Sequence, residues 1–329
     1  MKIWYDACTG KHVRYGVAIA RRLREMGHEV LLTTRKHPDT VPLAEFLNEN
    51  FVTVGRYNPK SLFTRLMEGT KRQLLLCKLM EKDIPDAAIS HGSVEQCRVA
   101  FGLGVPIILT FDAPQADAVN RLTLPLASYL VVSKAIPKRI IKSYSVKGKV
   151  ITFAGVDEVA WIKEFKPKIR YDFGEPLIVV REFEVKAAYA EKSIDLLILA
   201  RKLTKIGKVV FLSRYHRRPV KGLIVPKKFV DSASLVGQAD LFVGAGGTLS
   251  REAALQGTPA LIVKPFRNQY VNEYLARKGF PIFEAKPLQV LNLAKRLLGE
   301  KRDVKDLLAR LENPVDVIAG VVKEINELI

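Results

Sequence analysis

Short apolar segments of strand-like composition alternate with amphipathic, helix-like segments along the whole chain, and this alternation restricts the fold more than any other feature. In the first half we predict strands at residues 2–6, 29–34, 52–54, 87–90, 106–110 and 129–132. A second series follows, with predicted strands at 176–180, 208–212, 222–225, 240–244, 260–263 and 281–283. Strands that are separated by helices form parallel sheets, so the sequence predicts an α/β protein with two such sheets.

The length of the chain, 329 residues, fits two domains of about 150 residues each. We predict a Rossmann-like N-terminal domain at 1–153, a linker at 154–175 and a second Rossmann-like domain at 176–312. The last segment, 313–329, is predicted to be a helix that packs back on the N-terminal domain. In open parallel sheets, ligands bind beyond the carboxyl ends of the strands, so the loops that follow strands are the candidate sites.

The chain carries 53 basic and 34 acidic residues, a net charge of +19 that is spread over both halves. This excess favours anionic partners, namely nucleotide phosphates, nucleic acid or an anionic membrane surface. The alternative is a generally basic surface without a specific partner, as in some thermophiles. Residues 61–81, for example, are predicted to form a long helix whose exposed face is basic.

Two further compositional features exclude classes of protein. No apolar run approaches the ~18 residues that span a bilayer, and no signal peptide precedes the first strand, so we expect a cytoplasmic protein. Cys8, Cys77 and Cys97 have neither disulfide-framework nor zinc-ligand spacing. We therefore predict reduced thiols and no metal site.

The strongest candidate site is the glycine-rich segment after the fourth predicted strand of the second half. Gly244, Gly246 and Gly247 allow the backbone to turn and to approach a ligand closely. A helix predicted to start at about Thr248 would direct its free N–H groups and its dipole at an anion such as a diphosphate. Glu252, on the first turns of this helix, would accept hydrogen bonds from a ribose diol. The segment lacks the P-loop pattern, and a structural turn without a ligand is the alternative.

Two loops of the first half place polar side chains after predicted strands. Gly10, Lys11 and His12 follow the first strand, where His12 would act as a general base or hold an anionic group. His91 and Ser93 follow the fourth strand, and Ser93 is a natural N-cap for the next helix. For both loops an ordinary capping role is the alternative.

The loop after the fifth strand adds two carboxylates, Asp112 and Asp117, followed by Asn120 and Arg121. Paired carboxylates can carry acid–base chemistry, although loop acids are commonly just solvated. Arg181, after the first strand of the second half, is placed to neutralise a phosphate.

A basic and aromatic patch follows the next strand. Interleaved charged and aromatic groups can hold nucleic acid, and a patch of this size is a weak sign of it. The patch consists of Ser213, Arg214, Tyr215, His216, Arg217 and Arg218.

These loops, in this order, resemble those of the GT-B superfamily of nucleotide-sugar enzymes. The segments 90–93, 122–127, 227–231 and 244–259 are similar to those of a largely archaeal, glycosyltransferase-like family of uncharacterised proteins. The resemblance covers essentially the whole chain and implies two Rossmann-like domains whose parallel sheets face each other across a cleft. It also implies that the N-terminal domain binds an acceptor and that the C-terminal domain binds the nucleotide-sugar.

More distant resemblance assigns roles to individual residues. UDP-N-acetylglucosamine 2-epimerases have a similar glycine turn, with a glutamate five residues before Gly-x-Pro. In this chain the resemblance implies that Gly246, Gly247 and Thr248 hold the phosphates and that Glu252 holds the ribose. The segment 225–230, which includes Phe229 and Val230, matches the position that receives the uracil ring.

The chain also departs from the epimerases at two points. They have an acid where Ser93 stands, and their second-half catalytic loop begins His-Arg-Arg where this chain reads Val180, Arg181 and Glu182. The sequence therefore favours a glycosyltransferase with a UDP-sugar donor as its substrate and no resident cofactor. His12 or Asp112 would be its base, and Arg181 would assist departure of the diphosphate.

Two alternatives remain at this stage. One is an epimerase or hydrolase that acts on a UDP-sugar, and the other is a non-catalytic protein that binds nucleotide or nucleic acid. The acceptor is not identified by the sequence. A lipid-linked acceptor would suit a protein peripheral to an anionic membrane, where Lys134, Lys138, Arg139 and Lys142 would contact the surface.

Overall fold

The computed structural model describes residues 1–182, 195–213, 218–263 and 269–328. The chain forms two compact units, Met1–Trp161 with Glu312–Ile329, and Ile162–Leu311. We call them the N-terminal unit and the C-terminal unit. Residues 154–161 of the predicted linker thus belong to the N-terminal unit.

The N-terminal unit is built on a seven-stranded parallel sheet. Its strands are β1 (Lys2–Ala7), β2 (Glu29–Lys36), β3 (Val52–Arg56), β4 (Ala87–Ser90), β5 (Ile107–Phe111), β6 (Tyr129–Ser133) and β7 (Lys149–Phe153), in the order β3-β2-β1-β4-β5-β6-β7. The helices up to the boundary of this unit are α1 (Gly10–Glu25), α2 (Val41–Phe46), α3 (Leu62–Met80), α4 (Val94–Gly102), α5 (Asp117–Thr123), α6 (Lys138–Lys142) and α7 (Val159–Ile162). The central strands β4 and β5 are buried along their whole length, as expected for a sheet with both faces covered.

The strand β7 is absent from the sequence-based prediction. It pairs with β6 at the edge of the sheet, and its first two residues, Lys149 and Val150, are exposed. An edge strand needs no continuous apolar run, so its composition gives little sign of a strand.

One ion pair lies in the centre of the N-terminal unit. Asp6, at the end of β1, is fully buried, and its carboxylate accepts hydrogen bonds from Arg72 on α3, at 3.0 and 2.5 Å. The hydroxyls of Thr33 and Ser93 donate to the same carboxylate, each at 2.6 Å. Burial alone would raise the pKa of Asp6, but the charge of Arg72 and these hydrogen bonds outweigh it and hold the pKa below its ordinary value.

The structure changes the predicted basic face of α3 in one respect. Arg72 points inward to Asp6, whereas Leu62, Phe63 and Leu66 are exposed. The exposed surface of α3 therefore carries apolar side chains beside its lysines. A buried carboxylate requires a buried cation nearby, and the helical pattern by itself does not reveal which arginine provides it.

The C-terminal unit contains a second parallel sheet, of five strands. They are β8 (Leu177–Arg181), β9 (Lys208–Leu212), β10 (Leu241–Gly244), β11 (Ala260–Val263) and β12 (Ile282–Ala285), in the order β12-β11-β10-β8-β9. Its helices are α8 (Leu196–Leu203), α9 (Ser232–Gln238), α10 (Thr248–Leu255), α11 (Tyr270–Arg277), α12 (Val290–Leu297) and α13 (Lys305–Ala309). Short 3-10 helices occur at Leu124–Leu126 and Pro287–Gln289. The two parallel sheets confirm the predicted α/β fold class.

The strand predicted at 222–225 is wrong. Within it, Leu223 and Ile224 form only isolated bridges, to Val220 and Val210 respectively. Gly222 has a φ of +82°, so the chain turns immediately before these bridges and no regular strand extends backwards. The predicted patch at 213–218 lies mostly outside the described residues, since only Ser213 and Arg218 are among them.

The last helix, α14 (Pro314–Asn326), packs within the N-terminal unit, against α1 and β6. Asn313 caps its start by accepting a hydrogen bond from the N–H of Val315. On its exposed side, Glu324 accepts hydrogen bonds from Lys149 and Tyr129. No helix in the described parts of the chain is both long enough and apolar enough to cross a membrane.

Candidate functional site

Each sheet has one position where the direction of the chain connections reverses. In the N-terminal unit it lies between β1 and β4, because β1 leads to β2 and β3 on one side and the chain then returns to β4 on the other. In the C-terminal unit it lies between β8 and β10. Loops that follow the two strands at such a position diverge and leave a crevice, which is where open α/β sheets bind ligands.

In the N-terminal unit, the position between β1 and β4 holds a cluster of charged side chains. The ammonium group of Lys11, at the start of α1, donates to Asp112 at 2.5 Å and to Asp157 at 2.8 Å. It also lies 3.7 Å from a carboxylate oxygen of Glu158. Asp157 and Glu158 are 3% and 0% exposed. One lysine thus compensates one of the three negative charges and lies within 4 Å of all three carboxylates, which could not be placed together here without a cation.

His91, at the end of β4, is held on both sides of its ring. Its Nε2 lies 3.0 Å from Asp112 Oδ1, and its Nδ1 lies 2.7 Å from the hydroxyl of Thr110. A carboxylate accepts hydrogen bonds only, so Nε2 carries a proton toward Asp112. The pair His91 and Asp112 is therefore oriented for proton transfer to or from a group bound beside it.

His12 contacts His91 edge to face, with 5.0 Å between the ring centroids. Desolvation, followed by the electrostatic effects of the neighbouring His91, Lys11 and Arg35, holds the pKa of His12 well below its usual range, so its ring is neutral at neutral pH. The backbone N–H of Cys8 donates to His12 Nδ1 at 3.3 Å. A neutral imidazole carries one N–H, so this hydrogen bond places the proton on Nε2 and makes that atom a donor toward a ligand.

The depressed pKa of His12 predicts a specific pH dependence of stability. Below about pH 6.5, the unfolded chain binds a proton at His12 that the folded chain does not, so stability is lost as the pH falls. We expect the unfolding free energy of the wild type to fall relative to that of a His12→Gln variant by up to about 1.4 kcal/mol per pH unit between about pH 6.5 and 5. Urea titrations of both proteins across this range measure the difference. Parallel pH profiles would contradict the buried, neutral state of His12.

His91, Asp112 and Asp157 also have the composition of a metal site, with one potential ligand atom from each within 4.8 Å of the others. The sequence predicts no metal here. Lys11 lies within hydrogen-bond distance of both carboxylates and supplies positive charge itself. A divalent cation would therefore have to displace the Lys11 ammonium group from this position.

Four other predicted residues of this unit lie around the cluster without joining its contacts. Gly10 is the first residue of α1. Ser93 is fully buried, caps α4 through the N–H of Gln96, and donates to Asp6. The amide of Asn120 donates to the carbonyls of residues 113 and 114, and the exposed Arg121 pairs with Asp117 at 2.8 Å.

Asp157 and Glu158 are functional candidates that the sequence reasoning missed, because they fall in the segment assigned to a linker. They follow β7, just as the other members of the cluster follow β1, β4 and β5. Recognition of β7 as a strand would have identified them, since loops after parallel strands meet at the same edge of a sheet.

In the C-terminal unit, the position between β8 and β10 brings Arg181 and Gly244 side by side at the ends of adjacent strands. Gly246 follows and is exposed, with open space where a side chain would be. A Cβ at Gly247 would instead lie 2.5 Å from the guanidinium of Arg251. The turn thus leads from the exposed Gly246 into the start of α10, with the buried guanidinium of Arg251 beside it, an arrangement that suits an anion.

The remaining side chains of this segment are more enclosed. Glu252 is 1% exposed, and the hydroxyl of Ser232 lies 3.4 Å from its carboxylate. Thr248, the first residue of α10, is half-buried. Phe229 and Val230 are half-buried in the loop before α9. A cavity of about 590 Å³ in this unit lies elsewhere, at the amino ends of β8 and β9, and does not include these residues.

Comparisons with known proteins agree on the fold. The family described as "Protein of unknown function (DUF354)" matches residues 1–327. Uncharacterized protein MJ0665 of Methanocaldococcus jannaschii is 30% identical over 338 residues, covering 97% of this chain and 96% of that protein.

Solved structures of UDP-GlcNAc 2-epimerases and of a glycosyltransferase are similar to this protein over nearly the whole chain. The UDP-GlcNAc 2-epimerase of Methanocaldococcus jannaschii, in complex with UDP-GlcNAc and UDP, is 15% identical with a TM-score of 0.72 and covers 98% of this chain and 100% of its own. The UDP-GlcNAc 2-epimerase of Neisseria meningitidis, bound to UDP-GlcNAc, is 15% identical with a TM-score of 0.70 and covers 98% of this chain and 100% of its own. The glycosyltransferase SnogD of Streptomyces nogalater is 14% identical with a TM-score of 0.59 and covers 99% of this chain and 99% of its own. At these identities the similarity establishes a GT-B fold and leaves the reaction open.

Proposed function

We propose that this chain, which belongs to the DUF354 family and has the fold of GT-B nucleotide-sugar enzymes, is a glycosyltransferase. Its donor would be a nucleotide-diphosphate sugar, namely a UDP-sugar. The observation that carries the proposal is the turn at Gly246, which is exposed, and Gly247, which is half-buried. This turn follows β10 at the reversal of strand order and leads into α10.

The turn meets the requirements of a diphosphate site. The first N–H groups of α10 have no partners within the helix, and their dipoles favour an anion. Arg181, at the end of the adjacent strand β8, adds a positive charge on the same edge of the sheet. Because negative charge develops on the departing diphosphate, the same groups would stabilise the transition state of glycosyl transfer.

In this proposal the N-terminal unit supplies the acid–base groups. Asp112 is held by Lys11 and His91 in one fixed orientation and would accept the proton of an acceptor hydroxyl. His12 would donate a hydrogen bond from Nε2 to the bound sugar or acceptor, since its Nδ1 is engaged by the backbone.

A second candidate function is epimerisation or hydrolysis of the nucleotide-sugar without an acceptor. The buried group of three carboxylates around Lys11, beside His91, favours it, because such a cluster can take up and return a proton on its own. Incubation with a UDP-sugar alone separates the two functions. An epimer or free sugar, detected by NMR, indicates the second, whereas unchanged donor that reacts only when an acceptor is added indicates the first.

Replacing Gly246 with alanine tests the donor site. A Cβ at this position meets no protein atom within 4 Å, so the variant is expected to keep the stability of the wild type. The added methyl group would stand where the diphosphate approaches the backbone, and the loss of one or two charge-assisted hydrogen bonds should weaken UDP binding about ten- to hundredfold. Thermal shift with a panel of nucleoside diphosphates, followed by calorimetry with UDP, measures the effect.

The matched control is Gly320→Ala in α14, which also meets no atom within 4 Å. It is expected to leave UDP binding unchanged. Equal UDP affinity of the Gly246→Ala variant and the wild type would remove this turn from the site. A response to nucleic acid alone, lost with added salt, would instead favour the non-catalytic alternative.

A further inference from the structure

The helix α3 presents an unusual surface for a layer that covers a sheet. Only Arg72, Leu76 and Met80 of its nineteen residues are buried. Seven of the eighteen large hydrophobic side chains that are exposed in the described chain belong to this helix, namely Leu62, Phe63, Leu66, Met67, Leu74, Leu75 and Leu79. An exposed hydrophobic patch of this kind marks a surface that contacts another protein or a membrane.

The apolar residues follow helical spacing. At about 100° per residue, five of these side chains fall within one arc of about 140° on the helical projection, namely Leu62, Leu66, Phe63, Leu74 and Met67. We call this arc the α3 stripe. The buried residues lie on the adjoining side of the helix, where Met80 projects in the same direction as Leu62 but from the opposite end of the helix. With a rise of about 1.5 Å per residue, the helix is about 28 Å long.

Lysines border the α3 stripe along its length. Lys71 and Lys78 lie next to Met67 and Leu74 on the helical projection, and Lys60 and Lys82 flank the two ends of the helix. All four lysines are exposed. Glu68 is paired with Arg56 at 2.8 Å, and the exposed Glu81 at the end of the helix offsets one of the four lysines, so the positive charge remains in excess. The helix therefore combines an apolar stripe with a basic margin, which is the pattern of helices that lie in the plane of a membrane surface.

The start of α3 projects beyond its neighbour. Arg72 lies 3.6 Å from Glu95, which is in the first turn of α4. Because α3 and α4 both run antiparallel to the strands, the residues of α3 before Gly69 extend past the start of α4, at the edge where β1 and β4 end. Leu62, Phe63 and Leu66 thus stand clear of the neighbouring helix and are 78, 70 and 67% exposed.

From these features we propose that α3 docks this protein on the surface of an anionic lipid bilayer, with the α3 stripe inserted among the lipids and the lysines on the headgroups. Charge decides between a bilayer and a second copy of the chain. Two copies would each bring a net charge of +19 to the contact, whereas acidic headgroups complement that charge. The proposal does not depend on the enzymatic activity.

Co-sedimentation of the full chain with lipid vesicles at low ionic strength tests the proposal. Vesicles of equal parts phosphatidylcholine and phosphatidylglycerol are expected to pellet the protein, and added salt should release it. Vesicles of phosphatidylcholine alone should leave it in the supernatant. The variant Phe63→Glu with Leu66→Glu should lower the partition coefficient at least about tenfold, because it removes apolar area and adds negative charge.

Two further variants complete the design. Lys71→Glu with Lys78→Glu should also weaken binding to the anionic vesicles. Leu288→Glu, at a leucine that is 94% exposed in the C-terminal unit, is the matched control and should bind as the wild type does. All the replaced side chains are exposed, so the Tm of each variant should equal that of the wild type.

Three results would overturn the proposal. The first is that the wild type does not pellet with anionic vesicles. The second is that the Phe63→Glu, Leu66→Glu variant binds these vesicles as well as the wild type does. The third is that the wild type is a dimer that does not bind vesicles, and that this variant is a monomer. The last result, measured by light scattering after size exclusion, would assign the α3 stripe to contact between two copies. Loss of UDP binding in a protein that still pellets would contradict the proposed function alone.

Discussion

Replacing Arg72 with alanine is expected to destabilise the N-terminal unit by about 3–5 kcal/mol, the cost of leaving a buried charge without its partner. Arg72 is 1% exposed and contributes two hydrogen bonds to the fully buried carboxylate of Asp6. It also donates from Nε to the carbonyl of Val54, so the substitution releases β3 and β1 together. At about 2–4 °C per kcal/mol for a unit of this size, the Tm should fall by about 6–20 °C.

A surface arginine provides the control for this experiment. Arg56 pairs with Glu68 at 2.8 Å, but its side chain is 63% exposed. Exposed ion pairs contribute little to stability, so Arg56→Ala should leave the Tm almost unchanged. Thermal and urea unfolding of the three proteins measures the effects. Equal Tm values for Arg72→Ala and Arg56→Ala would show that the Asp6 carboxylate is not held charged in the core.

The same ion pair also predicts a response to acid. The pKa of Asp6 is lower in the folded chain than in the unfolded chain, so its stabilising contribution is complete above the unfolded value and is lost as the pH falls through the folded value. This loss begins near pH 4, below the range in which His12 acts.

Replacing Asp112 with asparagine is expected to reduce turnover of the nucleotide-sugar by about 10²–10⁴-fold, the usual contribution of a positioned acid–base group. Asparagine has nearly the same shape but cannot accept a proton at neutral pH. The Lys11 ammonium group keeps its 2.8 Å contact with Asp157, so the fold should be preserved. The assay is single-turnover release of UDP from the UDP-sugar that gives the largest thermal shift.

The control for Asp112 lies five residues further along the chain. Asp117 is a carboxylate with a 54% exposed side chain that pairs with Arg121, so Asp117→Asn should keep wild-type turnover. UDP affinity should be unchanged in both variants, because neither residue belongs to the proposed donor site. Wild-type turnover in the Asp112→Asn variant would remove Asp112 from the chemistry and leave His12, His91 and the other carboxylates around Lys11 as the acid–base candidates.

Local features of the structure were predictable because they depend on neighbours in sequence. The strands at 87–90, 208–212 and 260–263 have the predicted bounds, since buried parallel strands are continuous apolar runs. Likewise, α10 starts at Thr248 as predicted. Gly257, whose φ is +82°, lies just after the end of this helix and allows the chain to turn away from it. The strand at 222–225 failed, since apolar composition alone does not reveal that the chain turns at Gly222.

The sequence by itself therefore determined the fold class, the two series of strands and helices, and the loops in which ligand-binding groups would be found. Only the tertiary structure decided which of these loops meet. Lys11 and Asp157 are 146 residues apart in the chain and 2.8 Å apart in space, because the strand order places the ends of β1 and β4 to β7 at one edge of one sheet. It also turned Arg72 inward to Asp6 and left the apolar side chains of α3 outside. The periodicity of apolar residues predicts which face of each helix or strand is buried. The pairing of distant charges depends instead on strand order and packing, which no local sequence pattern encodes.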